Sequence, residues 1–276
     1  MTETTEGARM RRLSVLVLAL MLTLAAPWTS QAITFGHVDG TRHPNVGALL
    51  ADYDPGSPGL DVICTGTLID DRVFLTAAHC TSFLASLGIR RVRVTFAPHY
   101  HEDSTSRAGT FAGRYVSHPA FGSGGASDPH DIAVVLLDKS PGIRPARLPQ
   151  AGLLDRLAAE HVLDDRTFTA VGYGTVREVK TGGPQALFFD GTRRFVTQHA
   201  LNREKAWLLL SMNPATGNGG TCFGDSGGPH FLGGPASNLV VALTVTGDAV
   251  CRASDKAYRL DTAAARDFLE DFIDLP

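Results

Sequence analysis

The 276-residue chain has no block of basic residues, and its formal net charge is −3. A nucleic-acid surface therefore has no electrostatic footprint here. It has no C-x₂-C pair, and its four cysteines lie far apart, which argues against a structural zinc site. It has no Asn-x-Ser/Thr sequon, so no N-glycosylation acceptor. Strand and helix patterns do not alternate, which argues against a parallel βαβ sheet. Long helical patterns are few. What remains is ordinary for a globular chain, with 43% hydrophobic and 19% charged residues, and 29 glycines suit many short strands and turns.

The first segment reads as an address. Arg11-Arg12 precede the apolar run Leu13–Ala26, followed by Pro27 and "WTSQA". Small residues at Ser30 and Ala32 suit a signal-peptidase cut after Ala32, making 1–32 a signal peptide. The run is shorter than the roughly 20 residues that a spanning helix needs. Met10 is an alternative start. Export implies an oxidising compartment in which disulfides persist. Cys64, Cys80, Cys222 and Cys251 all lie beyond the cut, and four cysteines allow three pairings among which sequence alone does not choose.

The rest reads as mostly β. "VICTGTLI", "RVFLTAA", "RVRVTFA", "DIAVVLLD", "TFTAVGYG", "RRFVTQHA", "AWLLLS" and "LVVALTVTG" are short runs of apolar or β-branched residues, many bounded by Gly, Pro, Asp or Asn. The segments 150–161 and 261–273 read as helices. In the second, Asp261 or Thr262 can cap, and Ala265, Phe268, Leu269 and Phe272 share a face. The Pro-rich stretch 141–150 reads as a linker between two β-rich halves.

Three short strings could carry chemistry: "LTAAHC" with His79, "DIAVVLL" with Asp131, and "GDSGGP" with Ser226. A serine hydroxyl is a poor nucleophile until a base takes its proton, and a histidine, with its ordinary pKa near neutrality, can do so. Asp128 and His130 compete with Asp131 and His79 for the acid and base roles. Asp131 is preferred because it directly precedes a buried apolar run, whereas Asp128 falls in a Gly/Ser/Pro-rich loop.

With these three blocks, in the order His, Asp, Ser, the chain resembles the trypsin/chymotrypsin family of serine proteases. "HPAF", "VGYG" and the terminal helix match more weakly, and the likeness spans essentially everything after residue 32. The resemblance implies an all-β fold of two six-stranded antiparallel β-barrels packed together, at about 33–145 and 146–260, with a C-terminal helix at about 261–273. It implies disulfides Cys64–Cys80 and Cys222–Cys251, and the lack of others resembles bacterial members. It implies a His79, Asp131, Ser226 triad, with the N–H groups of Gly224 and Ser226 binding the developing oxyanion. Ile33, freed by the signal cut, would place its amino group against Asp225, although the family's usual "IVGG" reads "ITFG" here.

The same likeness puts Gly220 at the floor of the substrate pocket, where trypsin-type members carry an acid, and Thr246 and Gly247 on its wall after Val245. Asp255 and Lys256 follow Cys251; if either faced the pocket it would set a charge preference, but both read as solvated loop charges. A neutral or small apolar preference follows. The expected partners are polypeptide substrates and protein protease inhibitors, with neither nucleic acid nor a membrane after signal removal, and the expected form is a secreted monomer. Neither cofactor nor metal is implied, although "HYHEDSTSR" (99–107) offers oxygen ligands at undiagnostic spacing.

Two other classes fit less well. A protease-like binding protein without activity would ordinarily have lost one of the three residues. A serine esterase of the α/β-hydrolase type needs Asp and then His after the serine, and here only His230 follows, before any Asp.

Overall fold

The computed structural model describes residues 33–54, 56, 59–101, 106–177 and 187–276. The signal segment 1–32 and residues 102–105 of the "HYHEDSTSR" stretch lie outside them. In chain order the first half contains β1 (His37–Val38), β2 (Val46–Ala51), β3 (Asp61–Asp70), β4 (Val73–Thr76), helix α1 (Ala78–Ser86), β5 (Arg91–Thr95), β6 (Thr110–Ser117) and β7 (Ala133–Leu137). The second contains α2 (Leu153–Ala159), β8 (Thr167–Gly172), β9 (Val176–Arg177), β10 (Leu187–Phe188), β11 (Arg194–Arg203), β12 (Trp207–Ser211), β13 (Pro229–Leu232), β14 (Val240–Gly247), β15 (Ser254–Arg259) and α3 (Ala263–Leu269).

Both halves close into six-stranded antiparallel barrels. The first runs β2-β3-β4-β7-β6-β5 and closes through β2 and β5. The second runs β11-β12-β15-β14-β13-β8 and closes through β11 and β8. Closure removes the open edges that an antiparallel sheet would otherwise expose. β1 adds outside the second barrel, pairing His37 with Phe195, so the chain enters on the second barrel before building the first. Both expected helices form, and Thr262 caps α3 by accepting the Ala265 N–H.

Several elements carry no clear pattern in the sequence. β2 reads "VGALLA" and is buried at every position, so it has no alternation to detect. β15 reads "SDKAYR", as charged as a loop, yet Asp255 and Arg259 in it are buried. The wholly buried Arg259 donates to Asp261 and Asp155, and Lys256 lies 4.5 Å over the Trp207 ring.

A buried ion cluster ties the entry segment to both barrels. Arg193, just before β11, is 1% exposed. Its Nε donates to Asp39 Oδ2 at 2.8 Å, Nη1 to the carbonyls of Val46 at 2.9 Å and Phe96 at 3.0 Å, and Nη2 to Gly40 O at 2.7 Å. His43 Nδ1 bonds the other Asp39 oxygen. Burial raises the Asp39 carboxyl pKa, but His43 and Arg193 outweigh it and hold the group below its usual range. Breaking such a pair from one side leaves a charge buried and alone. Arg193→Met is therefore expected to destabilise the fold by about 3–5 kcal/mol, read from the shift of the urea midpoint.

Candidate active site

Strand register brings His79 and Asp131 together. β4 and β7 are neighbours with Thr76 opposite Ala133, so the chain leaving β4 and the chain entering β7 share one end of the barrel. His79 follows Thr76 in the first turn of α1, and Asp131 precedes Ala133. The Asp131 carboxylate makes two bonds to one residue: Oδ1 accepts the His79 backbone N–H at 2.8 Å, and Oδ2 meets the ring Nδ1 at 2.8 Å. A carboxylate only accepts, so Nδ1 carries the proton and Nε2 is left as an acceptor. Asp131 is buried, while about a third of the His79 side chain is exposed, at 34%. Asp128 does not take this place. It is buried at the end of a short 3₁₀ turn and accepts the Tyr258 hydroxyl at 3.0 Å.

Ser226 sits on a loop that the second barrel presses against the first. Its carbonyl accepts the Thr65 N–H at 2.9 Å and lies 3.9 Å from the Sγ of Cys80, the residue after His79. Thr65 Oγ1 donates to Gly224 O at 3.0 Å and accepts the Tyr173 N–H at 3.1 Å. Gly227, at φ +78°, passes so close that a Cβ would lie 2.2 Å from Thr76 Oγ1. Gly224 has φ +96°, a backbone that side-chain-bearing residues rarely adopt. Among the described residues, neither the Gly224 nor the Ser226 N–H donates to a protein acceptor. Two unused backbone donors beside a serine can receive a developing negative charge.

Both disulfides close beside these residues, Cys64–Cys80 next to His79 and Cys222–Cys251 next to the serine loop. The sulfurs of Cys64 and Cys80 lie near the His79 ring but are bonded to one another, so they offer no thiolate to a metal.

A cavity of about 230 Å³ opens at Ser226, bordered by Thr221, Phe223, Thr244, Thr246, Gly247 and Asp248. Thr246 and Gly247, which the resemblance assigns to a pocket wall, are among its lining residues. Gly220 does not border the cavity; it is buried behind it and pairs with Thr34, N–H to carbonyl in both directions, at 2.9 and 3.0 Å. The reading of Asp255 as a solvated loop charge is corrected: it is wholly buried and accepts Thr221 Oγ1 at 2.8 Å and Gln198 Nε2 at 3.1 Å. Because β15 is a barrel strand, Asp255 points into the barrel interior. Lys256 is half-buried on the other face, 3.7 Å from Glu204. Phe223, 60% exposed at the cavity mouth, was not singled out by its sequence; its signal was a large apolar residue placed between Cys222 and Gly224.

Asp225 is wholly buried. Gly174 donates its N–H to Oδ1 at 2.8 Å and Cys222 to Oδ2 at 2.9 Å. Burial pushes its pKa up to about 7; the two N–H groups pull it down, and nearby Asp255 adds to the rise. Ile33 is buried against Ala170 and Val196, one residue before the Thr34–Gly220 bridge.

Comparison with known proteins gives a consistent picture. A family model described as Trypsin matches residues 47–265. The chain is 26% identical over 207 residues to kallikrein-8 of Rattus norvegicus, covering 72% of each. It is 28% identical over 198 residues to a trypsin of Phaedon cochleariae, covering 64% of this chain and 67% of that one. To a chymotrypsin of the same organism it is 27% identical over 205 residues, covering 71% and 67%. A solved structure of HL collagenase superposes with a TM-score of 0.60 at 18% identity, over 85% of this chain and 94% of that one, a likeness of fold.

The Asp225 environment has a measurable consequence. Between its ordinary 3.8 and about 7, the folded chain keeps a proton that the unfolded chain releases. Stability should therefore fall as pH rises from about 4 to 7, at a slope on the order of 1 kcal/mol per pH unit from this group. Urea midpoints across that range, compared with Asp225→Asn in the chain that retains residues before Ile33, should show the slope flattened in the variant.

Proposed function

Because the chain belongs to the trypsin family of serine proteases, we propose that it is a secreted serine endopeptidase working through His79, Asp131 and Ser226 and an acyl-enzyme intermediate. The observation that carries the reading is the two-point bond between Asp131 and His79 beside a serine loop whose Gly224 and Ser226 N–H groups are unused.

In this reading Ser226 Oγ attacks the carbonyl carbon of a peptide bond and gives its proton to His79 Nε2. Asp131 stabilises the imidazolium and holds the ring in one orientation. The carbonyl oxygen becomes an oxyanion and takes the Gly224 and Ser226 N–H bonds. His79 then returns the proton to the leaving amine, and the acyl group stays on Ser226. A water repeats the sequence with His79 as base, releasing the acid and restoring the serine. The cavity beside Ser226 would receive the side chain on the acyl side, with Thr246 and Gly247 on its wall. Polypeptides are the substrates, and protein inhibitors that mimic them are the expected antagonists. Residues 1–32 act as the signal, and the exported protein works as a monomer.

Cleavage after Ala32 would make Ile33 the N-terminus with no separate activation step. A buried carboxylate is costly unless a charge meets it, and the Ile33 ammonium would supply one to Asp225. The support is that Ile33 is already buried one residue from the bridge to Gly220, on the strand side of the same loop. N-terminal sequencing of the active secreted protein is expected to begin at Ile33. Activity from a form starting well before or after it would remove this step.

The triad makes its own prediction. By the family's worked template, from which these factors are carried over, Asp131→Asn should lower kcat by about 10⁴, and Ser226→Ala by on the order of 10⁶. Peptide hydrolysis by purified variants of matched thermal stability checks both. Retention of most activity in Ser226→Ala would sink the proposal.

A further inference from the structure

We infer that Met212 is a specificity-determining residue: its side chain closes the inner end of the cavity at Ser226 and restricts it to a compact side chain. The inference rests on Ser226 being the nucleophile.

Met212 follows β12 directly and is wholly buried, its N–H bonded to Ala253 O at 3.0 Å. Two residues without side chains frame its thioether. A Cβ placed on Gly220 would lie 2.0 Å from Met212 Cγ and 2.1 Å from Sδ. One placed on Gly247 would lie 3.3 Å from Met212 Cε. Gly247 borders the cavity, whereas Gly220 and Met212 lie behind it. The thioether therefore occupies the space into which a side chain at 220 would project, and it reaches the wall at 247. The space left bare by the glycine is filled by the residue that follows β12.

The cavity that remains is short and bordered by Thr221, Thr244, Val245 and Thr246. Two acids lie nearby, and one of them, Asp255, has its Oδ1 buried without a hydrogen-bond partner among the described residues. Asp248 at the rim accepts the N–H groups of Arg252, Ala253 and Ser254, which hold its pKa below the usual range against the effect of burial. Asp255 does not border the cavity, and the Thr221 hydroxyl stands between it and the lumen. A long side chain would meet Met212. Alanine, valine or threonine on the acyl side fits that limit.

The test uses peptidyl phosphonates carrying valine or phenylalanine at the position next to the phosphorus, with labelling of Ser226 followed by intact mass. The purified wild-type protein should label about tenfold faster with valine, the scale of one misfitted group in an apolar pocket. Met212→Ala should raise the phenylalanine-to-valine ratio by about tenfold or more, and Met212→Val, which removes less volume, should fall between. If Met212→Ala does not fold, Met212→Val reads the same ratio. Wild-type protein that labels equally with both probes overturns the inference. So do variants in which Ser226 is still labelled at an unchanged ratio. Labelling of wild-type protein by neither probe overturns the nucleophile reading, and the inference falls with it.

Discussion

The site depends on keeping two barrels in one fixed relation, and much of that task falls to Thr65. His79 and Asp131 come from the first barrel, Ser226 from the second. Thr65 lies on β3 of the first barrel, yet its backbone N–H holds the Ser226 carbonyl and its hydroxyl serves Gly224 and Tyr173 of the second. Its own carbonyl accepts Thr76 Oγ1, at the strand end from which His79 emerges. One buried residue thus links the end of β4, near His79, to the serine loop, and its hydrogen bonds are shielded from solvent by burial. The glycine at 227 is the complement of this contact, since any side chain there would force the barrels apart.

The two sides of the site are held by different physics. His79 and Asp131 are local consequences of strand register and a two-point hydrogen bond. The serine loop is shaped by backbone constraints: positive φ at Gly224 and Gly227, a disulfide at Cys222, and a buried carboxylate at Asp225 bonded only through N–H groups among the described residues. Burial without a charged partner is what raises the pKa of this acid to about 7.

The residues of the candidate site were legible because chemistry restricts them to a few types in short strings, as with His79 in "TAAHC" and Ser226 in "GDSGGP". The barrels were legible where strands alternate or run β-branched. β2 was hidden because it is buried on every side, and β15 because Asp255 and Arg259, buried in the fold, read in sequence as loop charges. The pocket was the least legible part. The limit we propose for it comes from Met212, 8 positions from Gly220 in the chain and placed by the pairing of β12 with β15. A single position such as Gly220 shows what is missing at the floor, but what fills the gap is set by the tertiary fold.

The entry segment carries a consequence for biogenesis. Thr34 bonds Gly220 across 186 positions, and β1 pairs with β11. The part of the chain synthesised early thus has to wait for partners that leave the ribosome much later. Closing so long a loop is slow because the chain entropy is lost before the contacts form. Until then the second barrel lacks its outer strand and Gly220 lacks its bridge, so the serine loop is completed near the end of folding. In a chain with this order of assembly the serine loop takes its final form only after most of the chain has been synthesised.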